Sequence, residues 1–435
     1  MNWTLFEEKL HERMEKEHIL GAAVAVSQNG KIIYQNGFGV KNLDTKEQVS
    51  PNTIFGTASV TKSFTALGIM KLEEEGKLSV DDPVIAYLPE FYFPSVDSME
   101  SIKIHHLLTH TAGLAPIRRR EELNRFQEHL TYLAEYPYPI LGKPGEYLSY
   151  CNDTFLLLGA IIERITGRLF RRFITEEVLY PLQMYRSTFS LEELHKFEDV
   201  STPYVYHPEG DRFEKQSWPI LGNYEAGGGI RSNVLDLLKY GELYIGQGIL
   251  DHKPFISKKQ LEKMRQPTYP INRSSYYGYA LEVTPNYHGF TLVEHSGGQP
   301  GVSSNFGFIP EQNLVVAVLT NVSDVPAKDI WLEAVNYAIG IPLEEKRNTE
   351  LSVDLSEEQL KKFVGTYQSE EGDCLQIFIE DYTVKATINS KEFSMRASGE
   401  ATLVITEKEK PIQFYFDSNG ETWAAFMGLR VLLKK

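Results

Sequence analysis

The sequence changes character between Gly340 and Glu358, and this change divides the chain into two unlike parts. The segment between them is polar and charged, which suits a linker. After it come seven short alternating runs of apolar and polar residues, separated by glycine, asparagine, serine or aspartate. Strands this short and regular are typical of a small antiparallel barrel or half-barrel. We therefore predict one domain at residues 1–342, a linker at 343–356 and a second domain at 357–435.

The first part mixes helical and strand-like segments. Asn29-Gly30 lies between two β-rich runs and is typical of a hairpin turn. Helical spacing covers residues 2–17, 59–75, 102–109, 153–165, 232–243, 257–265 and 327–339. Strand patterns cover residues 277–284, 290–295, 304–308 and 314–320. This order predicts a mixed α/β (α+β) domain, in which one antiparallel sheet is flanked by helices.

Charge and hydropathy exclude several classes of partner. The chain has 44 lysines and arginines against 59 aspartates and glutamates, a formal net charge of −15. This argues against nucleic acid or an anionic membrane as the main partner, and the short basic run Arg118–Arg120 is interpreted as a solvated loop. The first apolar run, Ile19–Val26, is too short for a signal peptide or a membrane span, which favours the cytoplasm. Cys151 and Cys374 lie in different predicted domains and indicate no disulfide framework.

Three short motifs hold residues that could carry a reaction. In the first, Ser59 precedes Lys62 at the start of an apolar helix, where residues three apart share a face. A serine hydroxyl needs a base to become a nucleophile, and a desolvated lysine can lose its proton near neutral pH. The positive field of the helix N-terminus would favour an oxyanion beside Ser59. A capping serine followed by a solvated lysine explains the same residues.

The second motif is Tyr150-Cys151-Asn152, directly before the apolar helix. In an extended segment, residues two apart point the same way, so Tyr150 and Asn152 can face one cleft. A phenol beside a lysine ammonium would have a lowered pKa and could act as a general acid or base. The amide of Asn152 could bind both the lysine and a substrate amide. Without other evidence, an N-cap asparagine and a core tyrosine are the better explanation of this motif.

The third motif is His295-Ser296-Gly297-Gly298, at the end of a predicted strand. Two glycines let a ligand approach the strand closely, and free N–H groups at a strand edge can hold a developing negative charge. A plain turn between two hairpin strands is the alternative for this motif.

Taken together and in this order, the three motifs resemble those of the serine β-lactamase and penicillin-binding protein superfamily. The tyrosine in the second motif resembles the class C branch, which includes related esterases and D-amino-acid-specific peptidases. The runs IHHLLTHTAGL and EAGGGIRSNVLDLLKY are similar to the same family, and the resemblance covers about residues 3–340. It implies a β-lactamase/transpeptidase-like domain with a helical subdomain. We expect the second domain to be a lipocalin-like barrel, which in relatives covers the cleft or mediates assembly.

The resemblance also implies roles for individual residues. Ser59 would be the acylated nucleophile, and Lys62 and Tyr150 would share proton transfer. Asn152, His295, Ser296, Gly297 and Gly298 would bind substrate, with the backbone N–H groups of Ser59 and Gly298 forming the oxyanion hole. Neither a metal nor an organic cofactor is implied. Cys151 stands where serine is usual and should face away from the cleft.

His295 departs from the family pattern, in which a lysine usually opens this motif. A neutral imidazole anchors a substrate carboxylate more weakly than an ammonium and titrates near neutrality. The sequence therefore favours a peptidase or esterase acting on small or D-amino-acid-containing substrates. The alternatives are a penicillin-binding protein or weak β-lactamase, for which β-lactams are acylating ligands, and a non-catalytic sensor on the same fold. A homo-oligomer is left open.

Other polar clusters are interpreted more plainly. His105, His106 and His110 lack a further ligand for a metal site, so structural roles are expected. Gly227-Gly228-Gly229 lacks the residues of a phosphate loop and is expected to be a cleft-lining strand. Arg231 is expected at the surface. Tyr204, Tyr206 and Trp218 lie in a region that borders the cleft in the family, and ordinary packing explains them equally well.

Overall fold

The computed structural model describes residues 2–93, 96–137, 139–381 and 383–435, and an antiparallel sheet of eight strands organises the first part of the chain. The strands of the first part are β1 (Gly21–Gln28), β2 (Lys31–Gly39), β3 (Phe55–Gly56), β4 (Tyr204–His207), β5 (Arg212–Lys215), β6 (Arg231–Ser232), β7 (Ile249–Leu250), β8 (Lys253–Pro254), β9 (Tyr269–Pro270), β10 (Tyr276–Tyr277), β11 (Glu282–Tyr287), β12 (Phe290–Gln299), β13 (Val302–Ile309) and β14 (Leu314–Thr320). The order across the eight-stranded sheet is β2-β1-β14-β13-β12-β11-β10-β9.

Helices cover both faces of this sheet. They are α1 (Thr4–Lys16), α2 (Thr61–Glu74), α3 (Ile104–Leu108), α4 (Phe126–Glu135), α5 (Asn152–Thr166), α6 (Phe170–Ile174), α7 (Leu191–Leu194), α8 (Glu225–Gly228), α9 (Val234–Ile245), α10 (Lys258–Met264) and α11 (Ala327–Ile339). Helix α5 packs against α2, α3, α4 and α6, which together form a helical subdomain. None of the helices in the described ranges is long and apolar enough to cross a membrane.

The central strand β14 shows how the sheet separates two cores. Every residue of this strand is buried, and its side chains alternate between the two faces. Val315, Ala317 and Leu319 join the core that contains α2, α5 and α9. Leu314, Val316 and Val318 join the second core, beneath α1 and α11. The apolar run of this strand is therefore explained by helices on both of its sides.

Local sequence signals account for most element boundaries. Asn29 and Gly30 have φ values of +53° and +71°, which is the backbone of the hairpin turn that Asn-Gly favours. Asn233 caps α9 by accepting a hydrogen bond from the backbone N–H of Asp236 at 2.8 Å. The predicted single strand over residues 277–284 is wrong. Ala280 has a φ of +54° and donates its N–H to Leu108, which takes this segment out of the sheet between β10 and β11.

The second part of the chain is a closed barrel of eight antiparallel strands. After the short helix α12 (Glu357–Lys361), its strands are β15 (Gly365–Gln368), β16 (Cys374–Glu380), β17 (Thr383–Ile388), β18 (Lys391–Gly399), β19 (Thr402–Ile405), β20 (Lys410–Phe416), β21 (Thr422–Met427) and β22 (Arg430–Lys434). The sequence pattern indicated seven of these strands and missed β15. That strand is only four residues long, and it closes the barrel by pairing with β22.

The predicted fold class is confirmed, with a mixed α/β part followed by an antiparallel barrel. The segment that joins them is irregular but well anchored. Arg347 donates two hydrogen bonds, of 2.8 and 2.9 Å, to the buried carboxylate of Glu294 on β12. Val353 donates its N–H to Ala397 of the barrel. The domain limits at residues 342 and 356 stay predictions.

Candidate active site

Ser59 lies in a tight 3₁₀ turn, Ala58–Val60, that leads directly into α2. Ala58 has a φ of +45°, a left-handed conformation that is strained for a residue with a Cβ atom. The turn is anchored from the sheet, because Ser304 on β13 donates its hydroxyl hydrogen to the carbonyl oxygen of Thr57 at 2.7 Å. The strained turn therefore fixes the Ser59 backbone at the N-terminal end of α2, where backbone N–H groups have no partner within the helix.

Lys62 is buried, with only 1% of its surface exposed, and its amino group has three oxygen neighbours. The distances from Nζ are 2.9 Å to the carbonyl oxygen of Gly227, 3.0 Å to Oδ1 of Asn152 and 3.3 Å to Oγ of Ser59. Burial lowers the pKa of Lys62 well below its ordinary value, and the nearby cations Arg119 and Arg430 lower it further.

The three neighbours of Lys62 suit a neutral amine. A neutral amine has two N–H donors and one lone pair, and the two carbonyl oxygens can accept both donors. The lone pair then remains for the hydroxyl of Ser59, which can act as a donor. This arrangement can take the proton of Ser59 when its oxygen attacks a carbonyl group.

Tyr150 is the second proton-carrying group near Ser59. Burial raises its pKa, although the Ser59 hydroxyl and Arg430 lower it in part. Within the part of the chain that the structure describes, no group makes a hydrogen bond of ordinary geometry to its hydroxyl. A lysine ammonium was expected to lower the pKa of Tyr150, and that expectation is wrong because both groups are desolvated. Desolvation thus favours the neutral form of both the Lys62 amine and the Tyr150 phenol.

His110 supports Tyr150 from behind. Its ring centroid is 4.1 Å from that of Tyr150, and it is buried with a lowered pKa because of desolvation. Its Nδ1 accepts a hydrogen bond from the backbone N–H of Cys151 at 3.2 Å. The hydroxyl of Thr154, which donates to the carbonyl oxygen of Cys151, lies 3.1 Å from the same nitrogen. For His110 the sequence favoured a structural role over a metal ligand. In the structure it orders the segment between Tyr150 and α5.

Asn152 is the first residue of α5, and both ends of its amide are already engaged. Oδ1 accepts from Lys62, while Nδ2 donates to a carboxylate oxygen of Glu371 at 3.0 Å. The N-cap position belongs to Cys151, so the capping explanation of Asn152 is wrong. A substrate amide would have to compete with Glu371 for Nδ2.

His295 lies deep in the structure and both of its ring nitrogens have partners. Nδ1 is 2.6 Å from the carbonyl oxygen of Ser296, to which it donates, and Nε2 accepts from the Tyr277 hydroxyl at 2.9 Å. Burial and the nearby Lys62 lower the pKa of His295 to about 3, so the imidazole is neutral. The expectation that it titrates near neutrality is wrong, since it is shielded from water.

The two glycines of the third motif have different surroundings. A Cβ atom on Gly297 would lie 2.2 Å from the carbonyl oxygen of Thr57 and 3.0 Å from the backbone nitrogen of Ser59. At Gly298, no described atom outside its chain neighbours lies within 4 Å of such a Cβ atom. Gly297 therefore lets β12 approach the Ser59 turn, while Gly298 faces open space beside it. Ser296 is partly exposed and pairs with Asn305 on β13.

A small cleft brings several of the predicted residues together. It is lined by Ala58, Ser59, Arg119, Asn152, Leu221, Tyr224, Gly227, Gly228, Gly298 and Gln299. Arg119 was expected in a solvated loop, yet it lines this cleft, and its guanidinium carbon lies 5.5 Å from the ring centroid of Tyr224. Gly227 and Gly228 line the cleft as predicted, but they belong to the helical turn α8 and not to a strand.

Other predicted positions differ from the structure. Arg231 is buried and donates hydrogen bonds to the carbonyl oxygens of Phe189, Gly229 and Pro219, so the surface position was wrong. Tyr204 is buried and its hydroxyl accepts a hydrogen bond from the N–H of Leu43, which is a packing role. No group of three histidine, cysteine, aspartate or glutamate side chains could hold a metal ion within the described residues.

Comparisons with known proteins show the family of the chain. A family model described as Beta-lactamase matches residues 6–337. Protein flp of Staphylococcus aureus strain MW2 is 29% identical over 323 residues, which are 71% of this chain and 61% of that protein. This chain therefore spans about three fifths of the length of that relative.

Two further proteins match more of the chain. Penicillin-binding protein 4* of Bacillus subtilis strain 168 is 25% identical over 397 residues, which cover 86% of this chain and 84% of that protein. The solved structure of an octameric penicillin-binding protein homologue from Pyrococcus abyssi has a TM-score of 0.74 and 30% identity. The match covers 100% of this chain and 99% of the Pyrococcus abyssi chain, so it includes the barrel.

The two adjacent glycines offer a matched test of the site. We expect Gly297→Ala to lower the melting temperature clearly, because its Cβ atom would clash with backbone atoms that cannot rotate away. Gly298→Ala should leave the melting temperature nearly unchanged, since its Cβ atom enters open space. Thermal unfolding followed by circular dichroism measures both. Equal stability of the two variants would contradict the close contact between β12 and the Ser59 turn.

Proposed function

Because this chain belongs to the beta-lactamase family, we propose that it is a serine hydrolase that forms an acyl-enzyme on Ser59. The observation that carries the proposal is the hydrogen bonding around Lys62. Two carbonyl oxygens occupy its N–H donors, and Oγ of Ser59 lies 3.3 Å from its nitrogen. The lysine can thus act as the base that a serine nucleophile requires.

The reaction proceeds in two stages. In the first, Oγ of Ser59 attacks the carbonyl carbon of an ester or amide, and Lys62 takes the hydroxyl proton. The bond to the leaving group then breaks, the phenol of Tyr150 gives the leaving group a proton, and the Lys62 ammonium restores that proton to Tyr150. In the second stage, water attacks the carbonyl carbon of the acyl-enzyme and the protons move in the opposite direction. Lys62 takes the proton of Tyr150, the phenolate takes a proton from the water, and Lys62 returns a proton to Ser59 as the acid leaves.

The negative charge of the tetrahedral intermediate would lie between two backbone N–H groups. These are the N–H of Ser59, at the start of α2, and the N–H of Gly298, on the β12 edge beyond its pairing with β11. The close packing of Gly297 against Thr57 and Ser59 supports this assignment, because it holds the strand edge against the turn. Preorganised donors of this kind stabilise an oxyanion at little reorganisation cost.

The substrate class that we propose is small acyl esters or short peptides, including those with D-residues. The neutral, fully hydrogen-bonded His295 supports this choice, since it offers no cation for a substrate carboxylate at that position. A penicillin-binding protein or weak β-lactamase is the second candidate, and the relationship to penicillin-binding protein 4* favours it. A sensor without turnover would bind the same ligands and release no product.

Mass spectrometry tests the nucleophile. After incubation with a fluorophosphonate, we expect the intact protein to gain the mass of one phosphonyl group, because Lys62 activates the Ser59 hydroxyl. The Ser59→Ala variant should gain no mass. The exposed Ser98 offers a control, since Ser98→Ala should still be labelled. Labelling that survives in Ser59→Ala would place the nucleophile elsewhere.

A substrate panel discriminates between the candidate functions. We expect turnover of p-nitrophenyl esters or of D-aminoacyl p-nitroanilides, with slower turnover of nitrocefin, because no cation takes the place of the usual lysine at His295. L-aminoacyl p-nitroanilides test stereochemical preference in the same assay. Rapid hydrolysis of nitrocefin alone would favour a β-lactamase. A stable penicillin adduct with no turnover of any substrate would favour the sensor.

The pH dependence of ester hydrolysis tests the protonation state of Lys62. Burial lowers the pKa of Lys62, so the neutral base is already formed well below the ordinary lysine value of 10.5. We expect kcat/KM to rise with pH as the ammonium loses its proton and then to level off well below pH 10.5. Lys62→Arg should be inactive throughout, since a guanidinium stays charged. A rate that rises only near pH 10.5 would contradict a neutral Lys62.

A further inference from the structure

Two charged side chains of the barrel, Glu371 and Arg430, lie over the candidate active site. Glu371 follows β15 and Arg430 begins β22, and Nε of Arg430 donates to a carboxylate oxygen of Glu371 at 2.6 Å. Their exposed fractions are only 12% and 26%. Each member of the pair contacts a different residue of the site, Asn152 for Glu371 and Tyr150 for Arg430.

We propose that this ion pair of the barrel is part of the active site, in which Arg430 supports the anionic form of Tyr150 and Glu371 fixes the amide of Asn152. Both are positioning residues, and the inference rests on the proposed serine hydrolase function. It assigns a direct role in the reaction to the second domain.

The position of Arg430 is set by backbone contacts between the two domains. Tyr150 donates its N–H to the carbonyl oxygen of Leu429 at 2.7 Å, and Val431 donates its N–H to the Ser149 hydroxyl at 3.1 Å. Arg430 lies between these two anchored residues. Apolar side chains of both domains pack around the contact, namely Ala115, Leu141, Leu148, Tyr150, Tyr277, Ala424, Phe426 and Val431. The guanidinium is therefore held in place over the site.

Glu371 determines which way the Asn152 amide points. A carboxylate can only accept hydrogen bonds, so the nitrogen of the amide must face Glu371. The oxygen is then left to accept from Lys62 at 3.0 Å. If the amide turned over, its N–H₂ group would face the Lys62 amine and would compete with the Ser59 hydroxyl for its lone pair. Glu371 thus preserves the acceptor that keeps Lys62 in position.

Arg430 places a positive charge against the ring of Tyr150. The guanidinium carbon lies 5.1 Å from the ring centroid, and a cation at this distance stabilises a phenolate. Asp373, 3.9 Å from Arg430, offsets part of this charge. The other titratable or charged groups around Tyr150 are Ser59, Lys62, His110, Tyr277, Glu282, His295 and Glu371. Arg430 supplies the positive charge beside Tyr150, since burial favours the neutral form of Lys62.

The proposed step of Tyr150 predicts where Arg430 matters. When the phenol gives its proton to the leaving group, the oxygen of Tyr150 becomes negative, and Arg430 stabilises that charge. An ethoxide leaving group needs this proton, whereas p-nitrophenolate is stable enough to leave without it. Arg430 should therefore accelerate hydrolysis of ethyl esters much more than hydrolysis of p-nitrophenyl esters.

The decisive experiment compares the ethyl and p-nitrophenyl esters of one acyl group in the full-length chain. We expect Arg430→Met to lower kcat/KM for the ethyl ester about tenfold more than for the p-nitrophenyl ester, which is the scale of a charge effect of about one pKa unit. Tyr150→Phe should produce the same selective loss. The double variant should resemble Tyr150→Phe alone, because Arg430 acts through the phenol.

The barrel supplies a matched control for this experiment. Arg396 pairs with Glu409 at 2.6 Å, with exposed fractions of 21% and 18%, and its hydrogen bonds go to residues 350, 351 and 409. Arg396→Met removes a comparable ion pair from the same domain. We expect it to change the rates of both esters by the same factor, so a loss of stability alone would show no selectivity for the leaving group.

Glu371 is tested by two variants of similar size. Glu371→Gln keeps an oxygen that can accept from Asn152, whereas Glu371→Leu does not. We expect Glu371→Leu to lower kcat/KM of both esters about tenfold and Glu371→Gln to restore most of that loss. Equal activities of these two variants would refute the role of Glu371.

The results separate this inference from the function on which it rests. If the wild-type protein hydrolyses neither ester through Ser59, the serine hydrolase proposal fails and the inference fails with it. If the wild-type protein is active and Arg430→Met lowers both ester rates equally, the hydrolase proposal stands and the role of Arg430 is refuted. A further selective loss in the double variant would also refute it.

Discussion

The arrangement of side chains around the cleft depends on the burial of one amino group, that of Lys62. An isolated ammonium in the interior is costly, so Lys62 must either find strong partners or lose its proton. The structure supplies two carbonyl oxygens from distant parts of the chain, Gly227 on α8 and Asn152 on α5. A Cβ atom on Gly227 would lie 3.0 Å from Nζ, so the tight approach of α8 depends on a glycine there. Three helices are thus held together around one side chain.

The burial of Lys62 also explains which properties of the site the sequence could predict. Local spacing brought Ser59 and Lys62, and Tyr150 and Asn152, forward as candidates but left structural explanations open, and only the resemblance of the three motifs together to a known family selected them. The direction of the Tyr150 pKa was not accessible in this way. It depends on how deeply both groups are buried, and burial is set by elements far apart in the chain.

The fold likewise has features that local sequence determines and features that depend on contacts between distant parts of the chain. The boundaries of β14 and α11 followed from apolar periodicity, because both elements are covered along their length by a core. The break between β10 and β11 and the helical turn α8 depend on single contacts, such as the hydrogen bond from Ala280 to Leu108. Glu371 and Arg430 showed no local signal, since charged residues in the turns and at the ends of short strands usually face solvent. Only closure of the barrel and its contact with Ser149 and Tyr150 give these two residues a place in the site.

The position of Arg430 on the strand that closes the barrel has a consequence for synthesis of the protein. Ser59, Lys62 and Tyr150 leave the ribosome long before β22, and the contact between Leu429 and Tyr150 cannot form until that strand is made. A nascent chain can therefore fold its large sheet while Ser149 and Tyr150 still lack their partners in the barrel. The order of translation would delay completion of these contacts until the last strand of the barrel is in place.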